Sequence, residues 1–136
     1  MIIVDSSALT NALTDHGEGG KRCRAELARD SRWLAPEHLI AETFNAIRGR
    51  HLGGKINEEL ARWAVGALRR TTIELIQVQD LLHRMWELRG HVSGYDAAYL
   101  AAAEHFSYPL VTSDARLARS ADGLECDVRL VWPDPE

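Results

Sequence analysis

The sequence predicts an α/β sandwich with a mainly parallel central sheet. Short apolar or β-branched runs alternate along the chain with longer segments whose apolar residues recur at helical spacing, a pattern typical of parallel sheets covered by helices. The first run, Ile2-Ile3-Val4, is continuously apolar, as expected for a strand buried on both faces. The length of 136 residues suits one domain. We therefore expect residues 1–136 to form a single domain.

Caps, glycines and a proline delimit the predicted elements of the first half. A helix follows the first strand, and Ser6 or Ser7 can cap it. A loop precedes the second helix and is marked by Gly17, Gly19 and Gly20. Trp33-Leu34-Ala35 predicts a second strand, and Pro36 suits the first turn of a third helix, which contains Glu42 near its middle.

The second half continues this alternation. Asn57 can cap a helix whose first turn is acidic, and residues 72–78 are β-prone. Asp80 can cap the next helix, whereas Ser93 and Asp96 have the spacing of a helix start. The last predicted elements are the strand Leu110-Val111-Thr112, a short helix capped by Ser113 or Asp114, a strand at residues 128–131 and a solvated tail at residues 133–136.

Composition excludes several classes of protein. No apolar stretch is long enough to span a bilayer, and no positive segment precedes the N-terminal apolar run, as it would in a signal peptide. Cys23 and Cys126 show no metal-ligand spacing. We therefore expect a cytoplasmic protein with reduced, core-filling thiols and no membrane partner. The net charge of −4 argues against a surface that is basic throughout, but it allows a local basic face.

Four carboxylates lie at the borders of the predicted elements. Asp5 and Asp114 directly follow strands, Asp96 opens a helix, and Glu42 flanks the apolar stripe of the third helix. Because the carboxyl ends of parallel strands and the following helix N-termini share one edge of a sheet, we expect the four to lie close together. Clustered carboxylates are costly to desolvate unless they share a cation, and oxygen ligands favour Mg²⁺ or Mn²⁺. The competing explanations are helix caps for Asp96 and Asp114 and an ordinary surface position for Glu42.

Four segments then follow one another in a recognisable order. They are residues 2–9, Ala35-Pro36 with Glu42 and Asn45, residues 93–103, and residues 110–117. In this order they resemble the PIN-domain family and, more narrowly, the VapC-type toxin ribonucleases of bacterial toxin–antitoxin pairs. The resemblance covers nearly the whole chain and implies a PIN-like α/β/α sandwich.

The resemblance also implies an acidic quartet that binds metal. It falls on Asp5, Glu42, Asp96 and Asp114, none of which is substituted. We expect Asp5 and Asp96 to ligate Mg²⁺ directly and Asp114 to do so directly or through water. Glu42 is expected either to bind a second ion or to orient the attacking water.

Further side chains are candidates for supporting roles. Ser7, Asn45 and Thr112 can hydrogen-bond the ligands, although local caps or turns explain them equally well. A basic group formed by Arg48, Arg50 and Lys55 follows Glu42 and can grip RNA phosphates. Tyr95, next to Asp96, is the candidate for stacking on a base. The other large aromatic residues are expected in the core, namely Trp33, Trp63, Trp86 and Tyr99.

The predicted function is a Mg²⁺-dependent endoribonuclease that serves as the toxin of a toxin–antitoxin pair. The resemblance implies an RNA substrate, a homodimer and a cognate VapB-type antitoxin. One alternative is a PIN nuclease of RNA processing that is not a toxin. Another is a PIN-like binding module without catalysis, which the intact quartet disfavours.

Overall fold

The computed structural model describes residues 1–132, which contain one sheet of five parallel strands. The strands are Ile2–Val4 (β1), Trp33–Pro36 (β2), Glu74–Ile76 (β3), Leu110–Thr112 (β4) and Val128–Leu130 (β5). Their order in the sheet is β3-β2-β1-β4-β5, and every neighbouring pair is parallel. The predicted α/β architecture is confirmed, and throughout residues 1–132 the sheet is parallel rather than mainly parallel.

Helices connect the strands and flank the sheet. They are Ser6–Thr14 (α1), Glu18–Leu27 (α2), Leu39–Leu52 (α3), Glu58–Arg70 (α4), Leu82–Glu87 (α5), Gly94–Phe106 (α6) and Ala115–Ser120 (α7), with a 3₁₀ turn at Val78–Leu81. α1 packs against α2, α3 and α4, whereas α6 packs against β1, β2 and α5. None of the helices in residues 1–132 is both long enough and apolar enough to cross a membrane.

The hydrophobic core centres on β1 and β4. Ile2, Ile3 and Val4 are completely buried, as are Leu110 and Val111. Burying a large aliphatic side chain stabilises the fold by roughly 1.5–3 kcal/mol. Since α6 presents alanines along its buried faces, it can approach the sheet closely. The side chains that follow β1 and β4 are therefore carried by the best-packed part of the fold.

The strand order places a topological switch point between β1 and β4. From β1 the chain proceeds outward to β2 and β3, and later returns to β4 and β5 on the other side. In such sheets the connections leave β1 and β4 in opposite directions, which opens a crevice beyond their carboxyl ends. Asp5 follows β1 and Asp114 follows β4 by one intervening residue. The fold thus brings these two predicted site residues to one crevice.

The predicted starts of α1 and α3 are wrong in detail. Asp5, rather than Ser6 or Ser7, caps α1, since its carboxylate accepts the Ala8 N–H. Pro36 is the last residue of β2, where its fixed φ is compatible with extended backbone. Because α3 begins only at Leu39, Glu42 lies in its first turn and not near its middle. The caps predicted at Asn57 and Ser93 are confirmed, and of the two predicted for the short helix, Asp114 is the one used.

The predicted glycine loop is shorter than expected, because Gly17 ends it as the N-cap of α2 whereas Gly19 and Gly20 lie inside α2. A Cβ on Gly20 would overlap the backbone carbonyl of Asp15, so this glycine allows close approach of α2 to the end of α1. Asp80 does not cap a helix either. It lies within the 3₁₀ turn, and α5 begins at Leu82 without a side-chain cap.

The aromatic residues divide between core and surface. Tyr99 is 1% exposed, and half-buried Trp33 donates its indole N–H to the Leu27 carbonyl. The core prediction is wrong for Trp63 and Trp86, which are 55% and 67% exposed on the outer faces of α4 and α5.

Within residues 1–132 neither cysteine forms a disulfide, and only Cys23 is fully buried; Cys126 is half-buried. The predicted core role therefore holds for Cys23 and only in part for Cys126. The tail predicted at residues 133–136 lies outside the described residues.

Candidate active site

The four predicted acids line one cavity at the carboxyl edge of β1 and β4. Asp5, Glu42, Asp96 and Asp114 all contribute to its wall, and its volume is about 280 Å³. A larger cavity of about 690 Å³ lies between α3, α4 and β3, but it is lined mainly by apolar side chains and contains none of the four acids. The smaller cavity is therefore the one with the chemistry of a candidate active site.

Asp5 is the most deeply buried of these acids. It is 4% exposed and accepts hydrogen bonds from the Ala8 N–H at 3.0 Å, the Ser7 hydroxyl at 2.9 Å and the Thr112 hydroxyl at 2.5 Å. Burial raises the pKa of Asp5 to about 7, against the lowering effect of these hydrogen bonds, and Asp114 raises it further. Ionised Asp5 is thus held in a defined orientation at an energetic cost.

Ser7 and Thr112 each donate to Asp5 and also accept a backbone N–H from the segment that follows β4. Besides donating to Asp5, the Ser7 Oγ accepts the Ser113 N–H at 2.9 Å, and the Thr112 Oγ1 accepts the Asp114 N–H at 2.9 Å. The two hydroxyls therefore tie the ends of β1 and β4 together around one carboxylate. Asn45 is exposed and does not line the cavity.

Asp96 and Asp114 face the cavity from helix N-termini. Asp96 lies in the first turn of α6, one turn after the cap Ser93. Burial raises the pKa of Asp96, and the negative charges of Asp114 and Glu42 raise it further. Asp114 caps α7 by accepting the N–H groups of Arg116 at 2.9 Å and Leu117 at 3.3 Å. Capping explains the geometry of Asp114. Its carboxylate nevertheless repels that of Asp96.

Glu42 is held by a residue that the sequence interpretation had assigned only to the core. The buried Tyr99 hydroxyl donates to the Glu42 Oε1 at 2.6 Å. Burial raises the pKa of Tyr99, and the neighbouring Glu42 carboxylate raises it further, so the phenol remains a donor. A signal for this contact was available, because Tyr99 lies three residues after Asp96 and hence on the same face of α6.

Arg50 is the predicted cation that lines the cavity. Its guanidinium donates to the Thr14 hydroxyl at 2.8 Å and to the side-chain Oδ1 of Asn11 at 2.7 Å. Among residues 1–132 no carboxylate forms an ion pair with it. Arg50 is thus a fixed positive group beside four acids, anchored by two residues of α1 that the sequence interpretation missed.

The other predicted substrate contacts lie outside this cavity. Arg48 and Lys55 are exposed. Tyr95 is 69% exposed and helps to line a neighbouring cavity of about 280 Å³, where its ring lies 5.7 Å from that of His38. Their roles in binding RNA stay predictions.

The donor set fits a hard divalent cation, although the acids do not converge on one point. In the described part of the chain, no three His, Cys, Asp or Glu side chains are arranged closely enough to hold one ion. Ser7 and Thr112 hold the Asp5 carboxylate, and Tyr99 holds that of Glu42. Burial disfavours the ionised form of a carboxyl group and so raises its pKa, and a shared cation would stabilise that ionised form.

Solved structures of similar fold include one from Mycobacterium tuberculosis and one from Pyrobaculum aerophilum. VapC20 of Mycobacterium tuberculosis, a Sarcin-Ricin loop cleaving toxin, matches with a TM-score of 0.67 at 17% identity over 88% of this chain and 95% of that one. PAE2754 from Pyrobaculum aerophilum matches with a TM-score of 0.66 at 20% identity over 93% and 82%. At these identities the likeness concerns the fold.

Sequence comparison identifies the family. The PIN domain model matches residues 2–123. Ribonuclease VapC1 of Mycobacterium tuberculosis is 38% identical over 130 residues, which are 95% of this chain and 96% of that protein. VapC ribonuclease Mb0985 of Mycobacterium bovis is 31% identical over 131 residues, or 96% and 98%. The resemblance inferred from the motifs is confirmed, and this chain belongs to the PIN-domain family, in its VapC-type branch.

Proposed function

We propose that this protein is a metal-dependent endoribonuclease and the toxin of a toxin–antitoxin pair. The observation that carries the proposal is the cavity in which Asp5, Glu42, Asp96 and Asp114 meet the fixed cation Arg50. An anionic phosphodiester needs such a combination, because acids alone would repel it. Relatives of 31–38% identity that are named ribonucleases support RNA as the substrate.

Mg²⁺ is the expected cofactor, with Mn²⁺ as a substitute, because oxygen donors suit hard cations. Asp5 and Asp96 would hold the ion, with Asp114 binding directly or through water. When bound, the cation supplies positive charge that neutralises the scissile phosphate and the developing oxyanion. Burial of Asp5 and Asp96, which raises their pKa values, supports this assignment because a shared cation would relieve that cost.

The remaining steps belong to the side chains of the cavity. Ser7 and Thr112 fix the orientation of Asp5 through their hydrogen bonds. Glu42 either accepts a proton from the attacking water at Oε2 or holds a second cation. Arg50 binds a phosphate that flanks the scissile bond, and because Asn11 and Thr14 hold its guanidinium, little side-chain entropy is lost on binding.

We also propose a homodimer, a cognate VapB-type antitoxin and a cytoplasmic location. Exposed apolar side chains support an interaction surface, since Leu82 and Trp86 on α5 are 52% and 67% exposed and Trp63 on α4 is 55% exposed. These outer faces would pair subunits or receive an apolar face of the antitoxin. The VapC-type membership of the chain supports the antitoxin as a partner.

Cleavage of RNA by the purified protein tests the proposal. Asp5→Asn and Asp96→Asn should keep the fold and lose more activity than the roughly 10–100-fold typical of residues that only support ligands. Asp122→Asn changes an exposed acid and serves as the matched control. Calorimetric titration with Mn²⁺ should show binding to wild type and weaker binding to both site variants. Cleavage that persists in EDTA, or that both site variants retain, would overturn the proposal; RNA binding without cleavage by wild type would indicate a binding module.

A further inference from the structure

Tyr99 lies between two of the candidate catalytic acids. It belongs to α6, one helical turn after Asp96, and its hydroxyl donates to the Glu42 Oε1 of α3 at 2.6 Å. This hydrogen bond joins two residues that are 57 positions apart along the chain. Since Tyr99 also lines the acidic cavity, its hydroxyl is in the site and not only in the core beneath it.

The ring of Tyr99 is held independently of this hydrogen bond. It is 1% exposed, and the His38 imidazole lies 5.0 Å from its centroid at an interplanar angle of 57°. His38 directly precedes α3, the helix that carries Glu42. The donor is therefore preorganised, and the flexible partner in the pair is the glutamate.

Glu42 has few other constraints. It is half-buried, and within residues 1–132 its Oε2 accepts no hydrogen bond. A glutamate side chain of this kind would otherwise sample several rotamers. A short hydrogen bond to an ionised acceptor is roughly twice as strong as a neutral one. Tyr99 thus restricts Glu42 while leaving one carboxylate oxygen available.

We propose that Tyr99 is a positioning residue for RNA cleavage, because its hydroxyl fixes the Glu42 carboxylate with Oε2 left to act on the water or the cation. This inference rests on the proposed function. It requires no proton transfer from Tyr99, which donates the same hydrogen bond throughout. The competing role is structural, with the bond serving only to connect α3 to α6.

A double-mutant cycle separates these roles. Tyr99→Phe keeps the buried ring and removes only the hydroxyl, and Glu42→Gln removes the carboxylate on which it acts. Tyr108→Phe is the matched control, since its ring stacks on Phe106 and its hydroxyl donates no hydrogen bond to the described residues. Steady-state cleavage of RNA is measured for wild type, each variant and the Tyr99→Phe/Glu42→Gln pair, together with melting temperatures.

Tyr99→Phe should lower kcat by roughly 10–100-fold with KM for RNA unchanged, and Tyr108→Phe should lower neither. In the Glu42→Gln background, Tyr99→Phe should cause no further loss of kcat, because the effects of substitutions that act through one group are not additive. Multiplicative losses, or wild-type kcat in Tyr99→Phe, would overturn the inference.

A readout without catalysis keeps the two proposals apart. The carboxyl ¹³C resonance of Glu42, assigned by its disappearance in Glu42→Gln, should shift in Tyr99→Phe and not in Tyr108→Phe. If wild type cleaves no RNA, the proposed function fails while this shift still supports fixation of Glu42 by Tyr99. An unchanged resonance in Tyr99→Phe would refute the fixation itself, whatever the activity.

Discussion

Replacing Asp5 by Asn should stabilise the metal-free protein at pH 8 while abolishing cleavage. Asn is a good helix cap and can still accept the Ala8 N–H that Asp5 accepts. The Ser7 and Thr112 hydroxyls, which donate to Asp5, can rotate to accept from the new amide. The substitution therefore removes the buried charge with little change in the hydrogen-bonding pattern.

The magnitude follows from the pKa of Asp5. Burial raises this pKa from the ordinary value of 3.8 to about 7. At 1.36 kcal/mol per pKa unit, ionised Asp5 therefore lowers the free energy of unfolding by at most ~4 kcal/mol. Because the folded protein binds this proton more tightly than the unfolded chain, the contribution of Asp5 to stability falls as pH rises from about 4 to about 7. That pKa already includes the hydrogen bonds to the carboxylate, so what offsets the gain is the poorer fit of the Asn amide to the same partners, roughly 1–2 kcal/mol. Because ~4 kcal/mol is an upper limit, we expect a net gain of about 1–3 kcal/mol for Asn at pH 8.

Thermal unfolding in EDTA measures this effect. For a domain of this size, 1–3 kcal/mol corresponds to a rise in Tm of roughly 3–12 °C. The rise should be present at pH 8 and largely absent at pH 4.5, where Asp5 is protonated in the folded wild type. Asp122→Asn, a change at an exposed acid, should not alter Tm at either pH. Millimolar Mg²⁺ should then raise the Tm of wild type by linkage and raise that of Asp5→Asn less.

Two results would refute the reasoning. If Asp5→Asn were less stable than wild type in EDTA at pH 8, the hydrogen bonds of the carboxylate would outweigh its desolvation. If the difference in Tm were the same at pH 4.5 and pH 8, the raised pKa of Asp5 would be wrong.

Three further predictions concern substrate, packing and inhibition. Arg50→Gln should raise KM for RNA and reduce the salt slope of binding by about 0.7, as expected for one lost phosphate contact; an unchanged slope would exclude that contact. Gly20→Ala should destabilise the fold by roughly 1–3 kcal/mol, whereas Gly49→Ala, where a Cβ meets nothing within 4 Å, should not, as denaturant unfolding can show. The antitoxin should place an Arg or Lys near the four acids and weaken Mg²⁺ affinity, and equal affinity of free toxin and inhibited complex in a calorimetric titration would locate inhibition elsewhere.

Local patterns predicted much of the architecture. The continuous apolar run at residues 2–4 indicated a strand buried on both faces, and Asn57 and Ser93 indicated helix starts that the structure contains. Capping depends on a side chain and backbone groups within a few residues, so the sequence contains the necessary information. The prediction failed at Gly19 and Gly20, since their role is to admit the backbone of a neighbouring segment.

The sequence by itself determined which acids reach the carboxyl edge of the sheet, but only tertiary structure decided what each one contacts. Asp5 and Asp114 follow strands, and a parallel sheet takes such residues to one edge. Thr112, which donates to Asp5, is 107 residues away, and Tyr99, which donates to Glu42, is 57 residues away. Such pairs depend on strand register and on how α6 lies against α3, and both result from packing across the whole core. Hydrogen-bond partners therefore emerged only from the fold, because no local pattern encodes a distance between elements far apart in the chain.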